Sequence, residues 1–97
     1  MPTYILLTNW TDQGVKNAKA SPKRQEDARK LAKKFNVEWK TLFMTMGAYD
    51  FVLTVEAPDD AALAKYVVSL CALGNVRTTT LKAFTEAEHR AILEAVS

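Results

Sequence analysis

Residues 37–56 read VEWKTLFMTMGAYDFVLTVE. Two runs rich in β-branched and aromatic residues flank Gly47-Ala48, the composition of two strands joined by a tight turn. Val37–Met46 is expected as one strand and Tyr49–Glu56 as its partner. A two-residue turn sets Met46 opposite Tyr49 and Thr45 opposite Asp50. Side chains alternate between faces, so this register sorts both strands at once. Leu42, Met44, Met46, Tyr49, Phe51, Leu53 and Val55 share one face, almost wholly apolar, which belongs under helices. Trp39, Thr41, Phe43, Thr45, Asp50, Val52, Thr54 and Glu56 share the other, which is mixed. A turn of odd length would exchange the two faces.

Working outward, Thr3–Asn9 is a first strand. Residues 11–22 form a loop with one helical turn in it. Ser21-Pro22 is a helix start, with serine as the cap and proline in the first helical position. Ala28, Leu31, Ala32 and Phe35 make one apolar stripe, and Asn36 closes the helix. On the other side, Pro58-Asp59-Asp60 opens a second helix with acids at its positive end. Leu63, Tyr66, Val67, Leu70 and Cys71 keep helical spacing, and Gly74-Asn75 ends it. Val76–Phe84 is a fourth strand. Thr85 and Glu88 stand as a capping box before a final helix that carries His89, Ile92, Leu93 and Val96. The order is β-α-β-β-α-β plus a helix. Right-handed crossovers around a hairpin favour a ferredoxin-like α+β fold, an antiparallel sheet with both main helices on one face. Residues 1–97 are expected to form a single domain.

Composition narrows the function classes. The chain has 97 residues, 48% hydrophobic and 25% charged, as in soluble globular proteins. No apolar run is long enough to span a bilayer, and the N-terminus reads as a strand rather than a signal peptide. A cytoplasmic setting and no membrane partner are expected. The single cysteine, Cys71, allows no intrachain disulfide and no four-cysteine zinc site, and a buried thiol is its expected state. The single histidine, His89, rules out a His-rich metal site within one chain. The three glycines all fall at turns or caps, leaving no phosphate-cradling loop. No metal and no cofactor are expected. Residues 1–40 carry nine Lys and Arg against four acids, a balance of 9 − 4 = +5. Yet Glu26 and Asp27 interrupt the basic helix, and no RNP-type aromatic motif is present, so no nucleic acid is expected.

The mixed face is where a site is expected. Large apolar side chains on a bare sheet face are unusual in a monomer, and a second copy packed face to face would cover them. The chain itself is therefore the expected partner. A cleft in that dimer would be lined by Trp39, Phe43, Thr45, Asp50 and Thr54, with Trp10 near one end. Asp50 would orient a small molecule by hydrogen bonding, and the aromatics would supply apolar contact. Thr45, Arg77 and Lys82 are candidate partners for Asp50 and Glu56. The plainer role for Asp50 is to pin the hairpin. Arg24 and Lys16 read as solvated surface residues. No nucleophile and base stand at a recognisable spacing, so the catalytic set is unknown.

Several of these segments together resemble a known family. They are Tyr4, Thr11-Asp12-Gln13-Gly14, Ser21-Pro22-Lys23-Arg24, Gly47-Ala48-Tyr49-Asp50, Glu56-Ala57-Pro58-Asp59 and Gly74-Asn75-Val76-Arg77-Thr78. The chain is similar to the GYD domain family, whose Gly-x-Tyr-Asp signature stands here at Gly47, Tyr49 and Asp50. The resemblance runs from Tyr4 to Phe84 and implies a ferredoxin-like domain related to dimeric α/β barrels. It carries no particular reaction. The expected function is a homodimeric small-molecule-binding domain with its cleft on the open sheet face. Two alternatives stand beside it. One is a cofactor-free enzyme of the oxygenase, isomerase or decarboxylase type that such barrels host. The other is a purely structural assembly module with the same face packed dry.

Overall fold

The computed structural model describes residues 1–97. Strands β1 (Thr3–Trp10), β2 (Glu38–Met44), β3 (Phe51–Glu56) and β4 (Val76–Ala83) form one sheet in the order β2-β3-β1-β4. Every neighbouring pair is antiparallel. Helices α1 (Asp12–Lys16), α2 (Ser21–Lys34), α3 (Asp60–Ala72) and α4 (Glu86–Glu94) complete the chain, with a 3-10 turn at Ala18–Ala20. This is the ferredoxin-like arrangement.

The core lies between the sheet and the pair α2 and α3. Tyr4, Leu6 and Thr8 of β1 and Phe51, Leu53 and Val55 of β3 are buried at every second position. Against them sit Ala28 and Ala32 of α2 and Leu63 and Tyr66 of α3. Two alanines one turn apart let the α2 backbone approach the sheet closely, while α3 supplies the bulk.

The hairpin keeps its expected register. Thr41 pairs with Thr54, Leu42 with Leu53, Phe43 with Val52 and Met44 with Phe51. Thr45 still meets Asp50, donating its N–H to the Asp50 carbonyl at 2.8 Å. The ladder is shorter than expected at the tip, where residues 45–50 form a turn. There Gly47 adopts a φ of 118°, and the Thr45 hydroxyl donates to the Tyr49 carbonyl. Met44 and Met46, on edge strand β2 and in the turn beyond it, are 70% and 99% exposed rather than covered.

Trp39 is a larger correction. A β-bulge at Lys40 shifts the register, so that Trp39 pairs with Val55 and Glu38 with Glu56. One extra residue reverses the faces beyond it. Trp39 therefore lies under the helices and not on the open face. Its Nε1–H donates to the Tyr66 hydroxyl at 3.0 Å, and the Arg29 guanidinium stacks 4.8 Å above its ring. Lys40 meanwhile bridges Glu38 and Glu56 at 3.1 and 3.0 Å.

Two termini complete the comparison. Helix α2 is capped by the backbone of Ala20, with no side-chain cap, and Ser21 is already inside the helix. Its hydroxyl is turned instead to Arg24, from which it accepts at 3.2 Å. The Thr85–Glu88 capping box forms as expected at the start of α4. No residue of α4 is buried, and Ile92 and Leu93 are left exposed on it, with Val96 just beyond. No helix is long and apolar enough to cross a membrane.

Candidate functional site

A cavity of about 280 Å³ opens between α2, α3 and the helix-covered side of the sheet. Its floor is Leu6, Phe51 and Leu53, the central rungs of β1 and β3. Trp10 and Trp39 wall it from the sheet side, and Leu70 of α3 and Leu73 just after it wall it from the helix side. Trp10 is fixed by an edge-to-face contact with Phe51, with ring centroids 4.9 Å apart. Arg24, Gln25, Asp27 and Asn75, which are half-buried or exposed, line the polar side and mark the mouth.

The rim beside this mouth is a clasp between α1 and the turn after α3. The Thr11 N–H donates to the Asn75 carbonyl at 3.0 Å, and the Thr11 hydroxyl to the Gly74 carbonyl at 2.6 Å. Gln13 Nε2 donates to the Asn75 side chain at 3.0 Å. Arg24 Nη2 reaches across to the Gly14 carbonyl at 2.9 Å. The first turn of α2, the α1 loop and the α3–β4 turn are thus tied into one frame around the opening.

The residues expected to form a site separate into two places. Trp10 and Trp39 line the cavity. Phe43 and Thr54 lie on the open face, where Thr54 exchanges a 2.6 Å hydrogen bond with Thr41. Thr45 and Asp50 close the turn at the hairpin tip. Asp50 Oδ2 accepts from the Trp10 N–H at 2.9 Å, and its own N–H donates to the Thr8 carbonyl at 2.9 Å. None of the side chains expected as partners, those of Thr45, Arg77 and Lys82, bonds the carboxylate of Asp50 or Glu56. Lys82 pairs with Asp60 at 3.3 Å, and Glu56 with Lys40.

Asp50 therefore continues the β1–β3 pairing past the end of the ladder. Asp50→Ala is expected to destabilise the protein by about 1–2 kcal/mol, because the Trp10 N–H loses its acceptor. Asp50→Asn keeps an oxygen there and is expected to cost about half as much. Urea titration of both variants checks this, and an alanine variant as stable as the parent would remove the structural role.

The remaining titratable groups show no clustered chemistry. No three His, Cys, Asp or Glu side chains come together. Cys71 is half-buried, its sulfur 4.0 Å from the Thr78 hydroxyl. His89 is exposed on α4. The open face itself is apolar at its centre. Leu7 pairs with Val52 and Val52 with Phe43, while Ile5 pairs with Leu81. Phe43 is 62% exposed and Leu81 44%.

Sequence reasoning missed Arg24 and the cavity it serves. The signal lay in the α2 start, where Ser21 and Arg24 are one turn apart and so share a helix face. Which way that face points depends on packing.

Comparison with known proteins fits this fold. The GYD domain profile matches residues 4–93. A relative from Thermus thermophilus is 37% identical over 89 residues, covering 91% of this chain and 94% of the relative. It is named glutamine synthetase and cystathionine beta-lyase binding protein. Two solved structures share the fold. The crystal structure of MtbAldR is 19% identical, with a TM-score of 0.68 over 88% of this chain and 52% of that one. A feast or famine regulatory protein from M. tuberculosis, complexed with L-methionine, is 18% identical, with a TM-score of 0.58 over 88% of this chain and 51% of that one. The present chain spans about half the length of each of these two structures.

Proposed function

This chain belongs to the GYD domain family, and from that premise we propose that it is a homodimeric small-molecule-binding module that acts by docking onto larger enzymes. The observation that carries the reading is the cavity beneath α2 and α3, apolar on its floor and walls and polar at its mouth. Binding sites for small molecules have this make-up, a mostly apolar lining with a few placed polar groups. Its volume suits a ligand at the small end of the range.

The open sheet face supports the dimer. Ile5, Leu7, Phe43, Val52 and Leu81 form a continuous apolar patch, on which Phe43 and Leu81 are exposed and the other three half-buried. A second copy related by a two-fold axis matches this patch with itself, because the same residues meet on both sides. Ion pairs among Glu38, Lys40 and Glu56 lie at one end of the patch, where a polar rim belongs. Docking onto an enzyme is carried over from the Thermus relative's name, and the long shared alignment supports the transfer. A reducing cytoplasmic location accords with such partners.

The test has two arms. Light scattering at micromolar concentration is expected to give twice the chain mass. Phe43→Asp is expected to weaken association at least tenfold, since it places a charge within the contact. In the second arm, fragment mixtures are added to ¹⁵N-labelled protein. The chain has two tryptophans, Trp10 and Trp39, and both line the cavity. Their indole N–H signals are expected to move together with those of Leu70 and Asn75. A monomer mass defeats the first half of the reading, and unmoved indole signals across the whole mixture defeat the second.

A further inference from the structure

We infer that the cavity takes a small molecule with an apolar body and a single carboxylate, held at the mouth by Arg24. The inference rests on the proposed ligand role of this cavity and names the chemical class.

Arg24 lines the cavity and is half-buried. Both hydrogens of its Nη2 have acceptors within the protein, the Gly14 carbonyl and the Ser21 hydroxyl. These bonds fix the guanidinium plane. Nη1 and Nε have no acceptor, so three of the five guanidinium N–H donors are left to face the opening or water. Arg24 has no carboxylate partner within the chain. The acid at the same mouth, Asp27, is engaged by Lys23 at 3.2 Å. A guanidinium held by neutral groups, with both Nη1 donors free beside an apolar cavity, suits an anion that accepts a charge-assisted hydrogen bond. The first turn of α2, with no side-chain cap, adds positive potential on the same side.

Charge count decides between anions. One arginine faces the opening, and Asp27 lies on the rim. A phosphate near neutral pH carries more than one negative charge, which the single arginine leaves partly unmatched, whereas a carboxylate carries one. The floor and walls settle the rest of the molecule. Leu6, Leu53, Leu70 and two indole rings offer an acyl or aryl group contact and leave few donors for a polar one.

Octanoate, 1-octanol and octyl phosphate share one chain and differ in the head group, so they form the test. Binding is read from the two indole N–H signals and from tryptophan fluorescence, both of which report from the cavity wall. Octanoate is expected to bind at least tenfold more tightly than 1-octanol. Arg24→Gln is expected to remove that advantage, weakening octanoate at least tenfold while leaving 1-octanol within twofold. Leu70→Phe, which fills the cavity without touching Arg24, is expected to weaken both. If 1-octanol or octyl phosphate matches octanoate in the parent protein, the carboxylate assignment is wrong and the ligand site stands. If none of the three moves the indole signals, the assignment and the ligand site fall together. The comparison of head groups in the parent protein decides the matter even where Arg24→Gln does not fold.

Discussion

Gly14→Ala is expected to lower stability by about 3 kcal/mol. A Cβ at residue 14 would stand 2.0 Å from the Asn75 carbonyl oxygen, inside any real contact distance. The obstacle is backbone, so no rotamer change relieves it. The Asn75 carbonyl also accepts the Thr11 N–H, and Thr11 caps α1 by accepting from the Gly14 N–H at 3.0 Å. Pushing the two segments apart therefore weakens the clasp on both sides. Overpacking costs about 1–3 kcal/mol, and each hydrogen bond lost with it adds about 1. Alanine's better helix propensity returns less than about 1 kcal/mol. For a domain of this size the net loss lowers the melting temperature by roughly 12–20 °C. Gly47→Ala is the control. Gly47 has a φ of 118° but nothing within 4 Å of its missing Cβ, so it bears backbone strain alone, about 1 kcal/mol. Calorimetry on both variants separates the two causes. A Gly14→Ala protein melting within 3 °C of the parent would show that the clasp yields freely.

The contrast between these glycines marks what a sequence can disclose. Gly47, between two strand-like runs, announces a turn, and the turn sets a register that the structure keeps from Thr41 to Met44. The alternation of Tyr4, Leu6 and Thr8 and of Phe51, Leu53 and Val55 likewise reports burial directly, because a strand's period of two is fixed by the backbone. Gly14 sits among polar residues and reads as a weak point in a loop. Its necessity comes from Asn75, 61 positions away in the chain. The bulge at Lys40 is hidden in the same way. Trp39, Thr41 and Phe43 alternate regularly, so nothing local says that the pleat breaks between Trp39 and Thr41. What the break gives Trp39 is a partner on α3, the Tyr66 hydroxyl. The site follows suit. A sheet face is legible from alternation, whereas a cavity between helices depends on how far apart α2 and α3 settle, which their separate patterns do not encode. Arg24 looked like surface because its acceptors, the Gly14 carbonyl and the Ser21 hydroxyl, become a frame only after folding.

Tyr66→Phe is expected to cost about 2 kcal/mol, and it tests the Lys40 bulge as well as a hydrogen bond. The Tyr66 ring is fully buried, and its hydroxyl donates to the Ala28 carbonyl at 2.9 Å while accepting from Trp39 Nε1–H at 3.0 Å. One oxygen thus joins α3 to α2 and to β2 across the core. Removing it leaves a partly buried donor without an acceptor, a loss of about 1–3 kcal/mol. Trp39→Phe in the Tyr66→Phe background is expected to cost less than in the parent, with a coupling of at least about 0.5 kcal/mol. An unbroken β2 would put Trp39 on the open face, out of reach of Tyr66, and the two substitutions would then add independently. Additivity would therefore refute the bulge. Alkaline titration supplies a second readout. Burial pushes the Tyr66 hydroxyl up to about 12. Tyr4 is also pushed up to about 12, first by burial and then by its hydrogen bond to Asp60. Between the ordinary tyrosine value near 10 and 12, the unfolded chain releases protons that the native state retains. Stability must then fall as pH rises through that window. Tyr4 and Tyr66 are expected to ionise late in ultraviolet titration, and Tyr66→Phe is expected to remove one late step and flatten the alkaline loss of stability.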